Sequence, residues 1–149
     1  MPIVAKAVYE YFVHNTPVME TLRNHKDILD FCKTQNVGRN FKVCYEKVEN
    51  GKIVTVYCQR HCRFYVSQKG VVIQKEDTVS GKRSKLGGGL PSTMLNNLDD
   101  KPIEERGINY AYYYNEAMKF INPIKLDISP NQKGNTLHKT VSWFRYRPH

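Results

Sequence analysis

The run Gln59-Arg60-His61-Cys62-Arg63-Phe64-Tyr65-Val66-Ser67-Gln68-Lys69-Gly70 is the densest concentration of chemically useful side chains in the sequence. Read as a β-strand, it places Arg63, Tyr65 and Ser67 on one face and Phe64 and Val66 on the other. A guanidinium, a phenol and a hydroxyl in one row suit contacts to phosphate and sugar, which position a protein on nucleic acid without reading bases. The competing account has Tyr65 packed in the core and Arg63 paired with an acid of a neighbouring strand. The residues alone leave both open. Just upstream, Cys58-Gln59-Arg60-His61-Cys62 contains zinc-type ligands, but the spacing is not CxxC and no second ligand pair accompanies it. Small hydrophobes at strand ends explain these cysteines more simply. All four cysteines, Cys32, Cys44, Cys58 and Cys62, are expected as reduced thiols.

Charge strengthens the polyanion reading. Lys and Arg number 23 against 14 Asp and Glu, a net +9. Residues 59–85 hold seven basic and two acidic side chains, and residues 133–149 hold four basic and none acidic. These two windows account for the whole excess, and clustered positive charge favours a polyanionic partner more than an even spread would. The candidate nucleic-acid contacts are therefore Arg60, Arg63, Tyr65 and Lys69, helped by Lys82, Arg83 and Lys85 of the basic run that follows. A merely solvated basic face is the plainer alternative.

No catalytic constellation stands out, so no catalytic residue, metal site or cofactor is expected. Asp99-Asp100 and Glu104-Glu105 are paired carboxylates, but their place before a helix is explained by the helix N-terminal dipole. The five histidines show no HExxH spacing, and no GxSxG nucleophile elbow is present. No stretch approaches the roughly 18 apolar residues of a membrane span, and the first twelve residues are too polar for a secretory signal. The expectation is a cytoplasmic protein without a membrane partner.

The elements that must position these groups can be read from periodicity. Val4, Ala7, Val8, Tyr11 and Phe12 form one helical stripe. His14-Asn15 breaks it, and Thr16-Pro17 reads as the cap and first turn of a second helix. A third short helix is expected near Asp27–Lys33, with Asn24 as its cap. From residue 40 the period becomes two. Phe41, Val43 and Tyr45 alternate with polar neighbours, Asn50-Gly51 signals a type I′ hairpin, and Ile53–Cys58 returns. Cys62–Ser67 and Val71–Lys75 complete a four-stranded antiparallel meander, with a turn at Ser67-Gln68-Lys69-Gly70. Residues 77–91 read as a loop, and Leu90–Leu98 fits either a strand or a short helix. Asn109–Asn122 is a tyrosine-rich helix with Tyr110, Tyr113, Ala117 and Ile121 on one face, joined by Tyr114 and Phe120, and stopped by Pro123. The fold class is α+β. Residues 1–128 form the domain, and residues 129–149, with Trp143, form a basic aromatic tail that is either an added strand or a segment ordered by a partner.

Several of these segments resemble the C-terminal region of phage and viral family B DNA polymerases. Pro2-Ile3-Val4-Ala5-Lys6-Ala7-Val8-Tyr9-Glu10-Tyr11-Phe12 is similar to that family's "P-I-V-x-x-A" helix, and Thr16-Pro17-Val18-Met19-Glu20-Thr21-Leu22 to its "x-P-V-E-x-T-I". Asp27–Phe31, Arg63–Ser67 with Lys69-Gly70, and Ile108–Tyr114 follow in the family's order, so the resemblance spans roughly residues 2–122. It implies a thumb, the element that grips primer–template duplex through its backbone. The polymerase "YxDTD", exonuclease "DxE" and nucleotide-binding "KxxxNSxYG" motifs are absent. A two-metal phosphoryl-transfer site needs positioned carboxylates to hold its ions. The resemblance thus implies a non-catalytic DNA-binding module of DNA replication, acting in the host cytoplasm if phage-encoded. If the chain belongs to an enzyme, that enzyme is a DNA-directed DNA polymerase. The alternative is a protein-interaction module, or a separately encoded subunit that completes a split polymerase by docking on its catalytic core.

Overall fold

The computed structural model describes residues 1–95 and 101–127. It is an α+β fold, as the periodicity indicates, with three α-helices and six antiparallel strands among the described residues. The expected tail at 129–149 lies outside the described residues, as does the last part of 90–98. The described residues divide into two compact units, residues 1–30 with 110–127, and residues 31–109.

The first unit is helical. Helix α1 (Ile3–His14) buries Ile3, Ala5, Ala7 and Val8, while Val4, Tyr11 and Phe12 are half-buried. It ends where Asn15 adopts a left-handed φ of 55°, and the Thr16 amide donates back to the Glu10 carbonyl at 3.0 Å. Helix α2 (Val18–Asn24) starts one residue later than Thr16 would cap it. Pro17 holds the N-cap position and no side chain caps the helix. The third element is a single 3₁₀ turn, Ile28–Phe31, and its amides are met by Asp27 rather than Asn24: Asp27 Oδ1 accepts from the Leu29 amide at 3.0 Å. Helix α3 (Tyr110–Asp127) packs against both other helices through Tyr113, Ala117 and Ile121 at i, i+4, i+8. Tyr114 and Phe120 turn outward instead of joining that face. The helix also runs past Pro123, which was expected to stop it. A proline so near the C-terminal end forfeits one intrahelical hydrogen bond and crowds one preceding carbonyl, a local cost that the last turn absorbs.

The second unit is built on one long strand. The short polar strand β1 (Lys33–Asn36) precedes β2 (Phe41–Glu49) and β3 (Lys52–Cys58), which are joined at Asn50 and Gly51 with φ of 52° and 76°. That is the type I′ turn the sequence signals. Strand β4 (His61–Asp77) then runs unbroken through the expected turn at Ser67–Gly70. Its first half pairs with β1, and its second half pairs with β2 and with β5 (Arg83–Lys85), a short strand inside the expected loop. Strand β6 (Pro91–Met94) resolves the open choice at 90–98 in favour of a strand. It pairs with β4 across a register shift in which both Val66 and Val71 face Ser92. Residues 67–70 are therefore a bulge, which bends β4 between its two sets of partners. Val37, Val43, Cys62, Phe64 and Ile73 form the core under the bend, with Phe41, Tyr45, Cys58, Val71, Leu86 and Met94 packed on it.

Candidate nucleic-acid interface

The bulge creates a cleft. Ser67 is tied to the segment before α3: its hydroxyl donates to the Gly107 carbonyl at 3.1 Å and accepts from the Lys69 amide at 3.2 Å. The Gln68 amide donates to the same Gly107 carbonyl at 2.9 Å, and Ser67 bridges Ile108. Gly107 makes this approach possible with a φ of 64°, a conformation that favours glycine. Between this strap and the sheet lies a cleft of about 380 Å³. Tyr65, Ser67 and Lys69 come from β4, Thr93, Met94 and Leu95 from β6 and its end, and Lys101, Glu105, Arg106 and Gly107 from the strap.

The sequence candidates divide between the two halves of β4. Lys69 reaches the cleft and is exposed, and Arg63 is exposed on the same half of β4, opposite Thr34. Tyr65 takes a different role from the exposed phenol of the strand reading. It is 3% exposed, and its hydroxyl donates to the Arg106 carbonyl at 2.9 Å, so it forms the cleft floor and fixes the strap. The two-faced strand picture fails here because the strap covers the face that would otherwise meet solvent. Arg60 is exposed at the start of β4 and spans to the Val37 carbonyl at 3.4 Å.

The second cluster sits on the other half of β4. Lys82 and Lys85 are exposed there. Arg83 is committed to the fold: Nε donates to Glu76 at 2.9 Å, Nη1 to Glu46 at 2.8 Å and Nη2 to the Thr55 hydroxyl at 3.1 Å. It clasps β2, β3 and β4 from β5, so its charge is neutralised within the sheet rather than offered to a ligand. The Arg83 and Tyr57 hydrogen bonds hold the Glu76 carboxyl below its ordinary pKa of 4.5, and the Val79 and Ser80 amides hold Asp77 below 3.8. A carboxyl with a depressed folded-state pKa binds fewer protons folded than unfolded. Its stabilisation is present above the unfolded pKa and is lost as pH falls through the folded one. Thermal melts from pH 7 to pH 3 should therefore show Tm steady down to about pH 5 and falling below it. Glu76→Gln should flatten that acid limb, and an unchanged limb would remove Glu76 as its source.

Lys101 and Arg106 were missed in the sequence because they sit among Glu104 and Glu105 and look charge-balanced. The available signal was Gly107, a glycine closing a one-turn 3₁₀ segment, Ile103–Glu105. Cys58 and Cys62 lie in the apolar core, and burial, reinforced by Cys62 and Cys44, pushes the Cys58 thiol up to about 11. A protonated thiol is a poor zinc ligand. No cluster of three or more His, Cys, Asp or Glu that could hold a metal occurs among the described residues, and no helix there is long and apolar enough to cross a membrane. Comparison of the chain with protein-family models, with curated proteins and with solved structures gave no match.

Proposed function

We propose that this chain is a non-catalytic module that binds duplex or primer–template DNA through the phosphate backbone, in the manner of the polymerase thumb its sequence resembles. One observation carries the reading: Lys69 and Lys101 line a concave site with a hydroxyl-lined floor, Arg63 lies on the same half of β4, and all three are exposed cations without a carboxylate partner among the described residues. Residues 31–109 hold fourteen Lys and Arg against eight Asp and Glu, so the field at this face favours a polyanion. Backbone contacts of this kind position a protein on a duplex and carry little sequence information.

Fluorescence anisotropy of labelled primer–template, blunt duplex and single strand, each titrated with salt, tests the reading. Preference for the duplex forms with a log–log salt slope of several units is expected. Negligible binding to all three would sink it.

One observation favours a second reading, a protein-docking module for a polymerase core. Val48, Ile53 and Tyr57 are 74%, 71% and 52% exposed on the β2–β3 hairpin, and β3 is an edge strand of the sheet. Exposed apolar groups on an open edge invite a protein partner. Negligible DNA binding together with stable, salt-insensitive association with a catalytic subunit would favour this second reading over the first.

A further inference from the structure

We infer that the cleft beside the β4 bulge is a pocket for the terminal phosphate of a DNA strand, a phosphomonoester rather than a mid-strand phosphodiester. The inference rests on the backbone-binding reading and specifies what its most concave part receives. Three features of the cleft point this way.

The first is charge. Among the described residues, Lys69, Lys101 and Arg106 line the cleft with Glu105 as the only carboxylate, a formal balance of +2. A phosphodiester carries one negative charge. A terminal phosphomonoester carries about −1.5 to −2 at neutral pH and has three free acceptor oxygens. The pocket's balance matches the second group.

The second is shape. A mid-strand phosphate is flanked by sugars on both sides, so it can lie across the mouth of a concave site but cannot enter it. A chain end can. The volume of about 380 Å³ falls near the lower end of small-ligand pockets, the scale of one nucleotide and not of a duplex.

The third is the division of the walls. The cations come from β4 and the strap, while Met94 and Leu95 supply an apolar side at the end of β6. Phosphate against one side and the terminal sugar or base against the other fits that division. The floor is built rather than incidental. Tyr65 and Ser67 are each 3% exposed, and each donates a hydrogen bond to the strap. Their hydroxyl oxygens keep the strap at a fixed distance from β4, which sets the pocket's width.

The test uses the full chain and one duplex sequence prepared with 5′-phosphate, 3′-phosphate or only hydroxyl ends, with inorganic phosphate as competitor. A phosphorylated end is expected to bind about tenfold more tightly than a hydroxyl end, the worth of one additional set of charge-assisted hydrogen bonds. Lys69→Ala and Lys101→Ala should each erase that ratio, whereas Lys52→Ala, on the hairpin, should preserve it. Equal binding of all ends with the salt slope intact would overturn the strand-end pocket and leave backbone binding standing. Loss of all DNA binding would overturn both. Competition by inorganic phosphate as effective as by the phosphorylated duplex would overturn the strand end as the source of the ligand.

Discussion

Gly70→Ala is expected to lower Tm by roughly 6–12 °C, the equivalent of about 3 kcal/mol in a chain of this size. A Cβ built on Gly70 overlaps the Ser92 carbonyl and comes within 2.7 Å of the Ser92 amide nitrogen. These are backbone atoms of β6, so no side-chain rotation relieves the clash. Ser92 is 2% exposed and is held in register by Val66 and Val71 on either side of the bulge. Relief therefore requires β6 to shift away from β4, which puts the cost at the upper end of the range for an overpacked core. Gly51→Ala provides the contrast. Gly51 has a φ of 76° with open space around it, so its cost is conformational, about 1 kcal/mol, and stays at the hairpin. Urea and thermal melts of both variants separate packing from backbone strain. A Gly70→Ala protein melting within 1 °C of the parent would show that β6 does not rest on the bulge. Because β6 carries Thr93 and Met94 of the cleft and leads into Leu95, the same variant should also weaken DNA binding.

The bulge also shows where the sequence stops being legible. Ser-Gln-Lys-Gly is good turn chemistry, and nothing local distinguishes a reversal from a bulge in a continuing strand. The decision is made by Ser92, more than twenty residues downstream, packing its backbone onto a residue without a side chain. Strand β1 was invisible for a related reason: Lys33-Thr34-Gln35-Asn36 has no apolar alternation, and it is a strand because it pairs with His61–Phe64. Where structure is dictated locally, the residues announce it. Asn50-Gly51 can hardly avoid a type I′ turn, and Tyr113, Ala117 and Ile121 trace the buried face of α3 by spacing alone. The site divides along the same line. Lys69 was legible from its place in a basic window, though the residues around it read as a turn. Arg83 looked equivalent to its neighbours, and only the convergence of Glu46, Glu76 and Thr55 from three strands turns it into a clasp. Tyr65 was legible as a strand residue, but its burial stayed an open choice, because the strap that covers it lies 41 residues away.

Removing Lys69 and Lys101 of the cleft together with Arg63, exposed on the same half of β4, should have the largest effect on binding. The triple variant Arg63→Ala, Lys69→Ala, Lys101→Ala should lower the log–log salt slope by about 2.7, at 0.9 per neutralised phosphate on duplex DNA. At 0.1 M salt that corresponds to an affinity loss on the order of 10²-fold or more. The loss should be similar for unrelated sequences, since backbone contacts read no bases. Fold should be retained, because Arg63, Lys69 and Lys101 are exposed. Arg83→Ala should behave in the opposite way. It leaves Glu46 and Glu76 facing each other without their shared cation, so Tm should fall while the salt slope stays near that of the parent. Lys82→Ala with Lys85→Ala completes the comparison on the other half of β4. If that pair flattens the slope and the cleft triple does not, the DNA lies along the β5 edge, and the cleft is not part of the footprint. If neither changes it, neither the cleft nor the β5 edge belongs to the footprint, and the exposed hairpin becomes the surface to pursue.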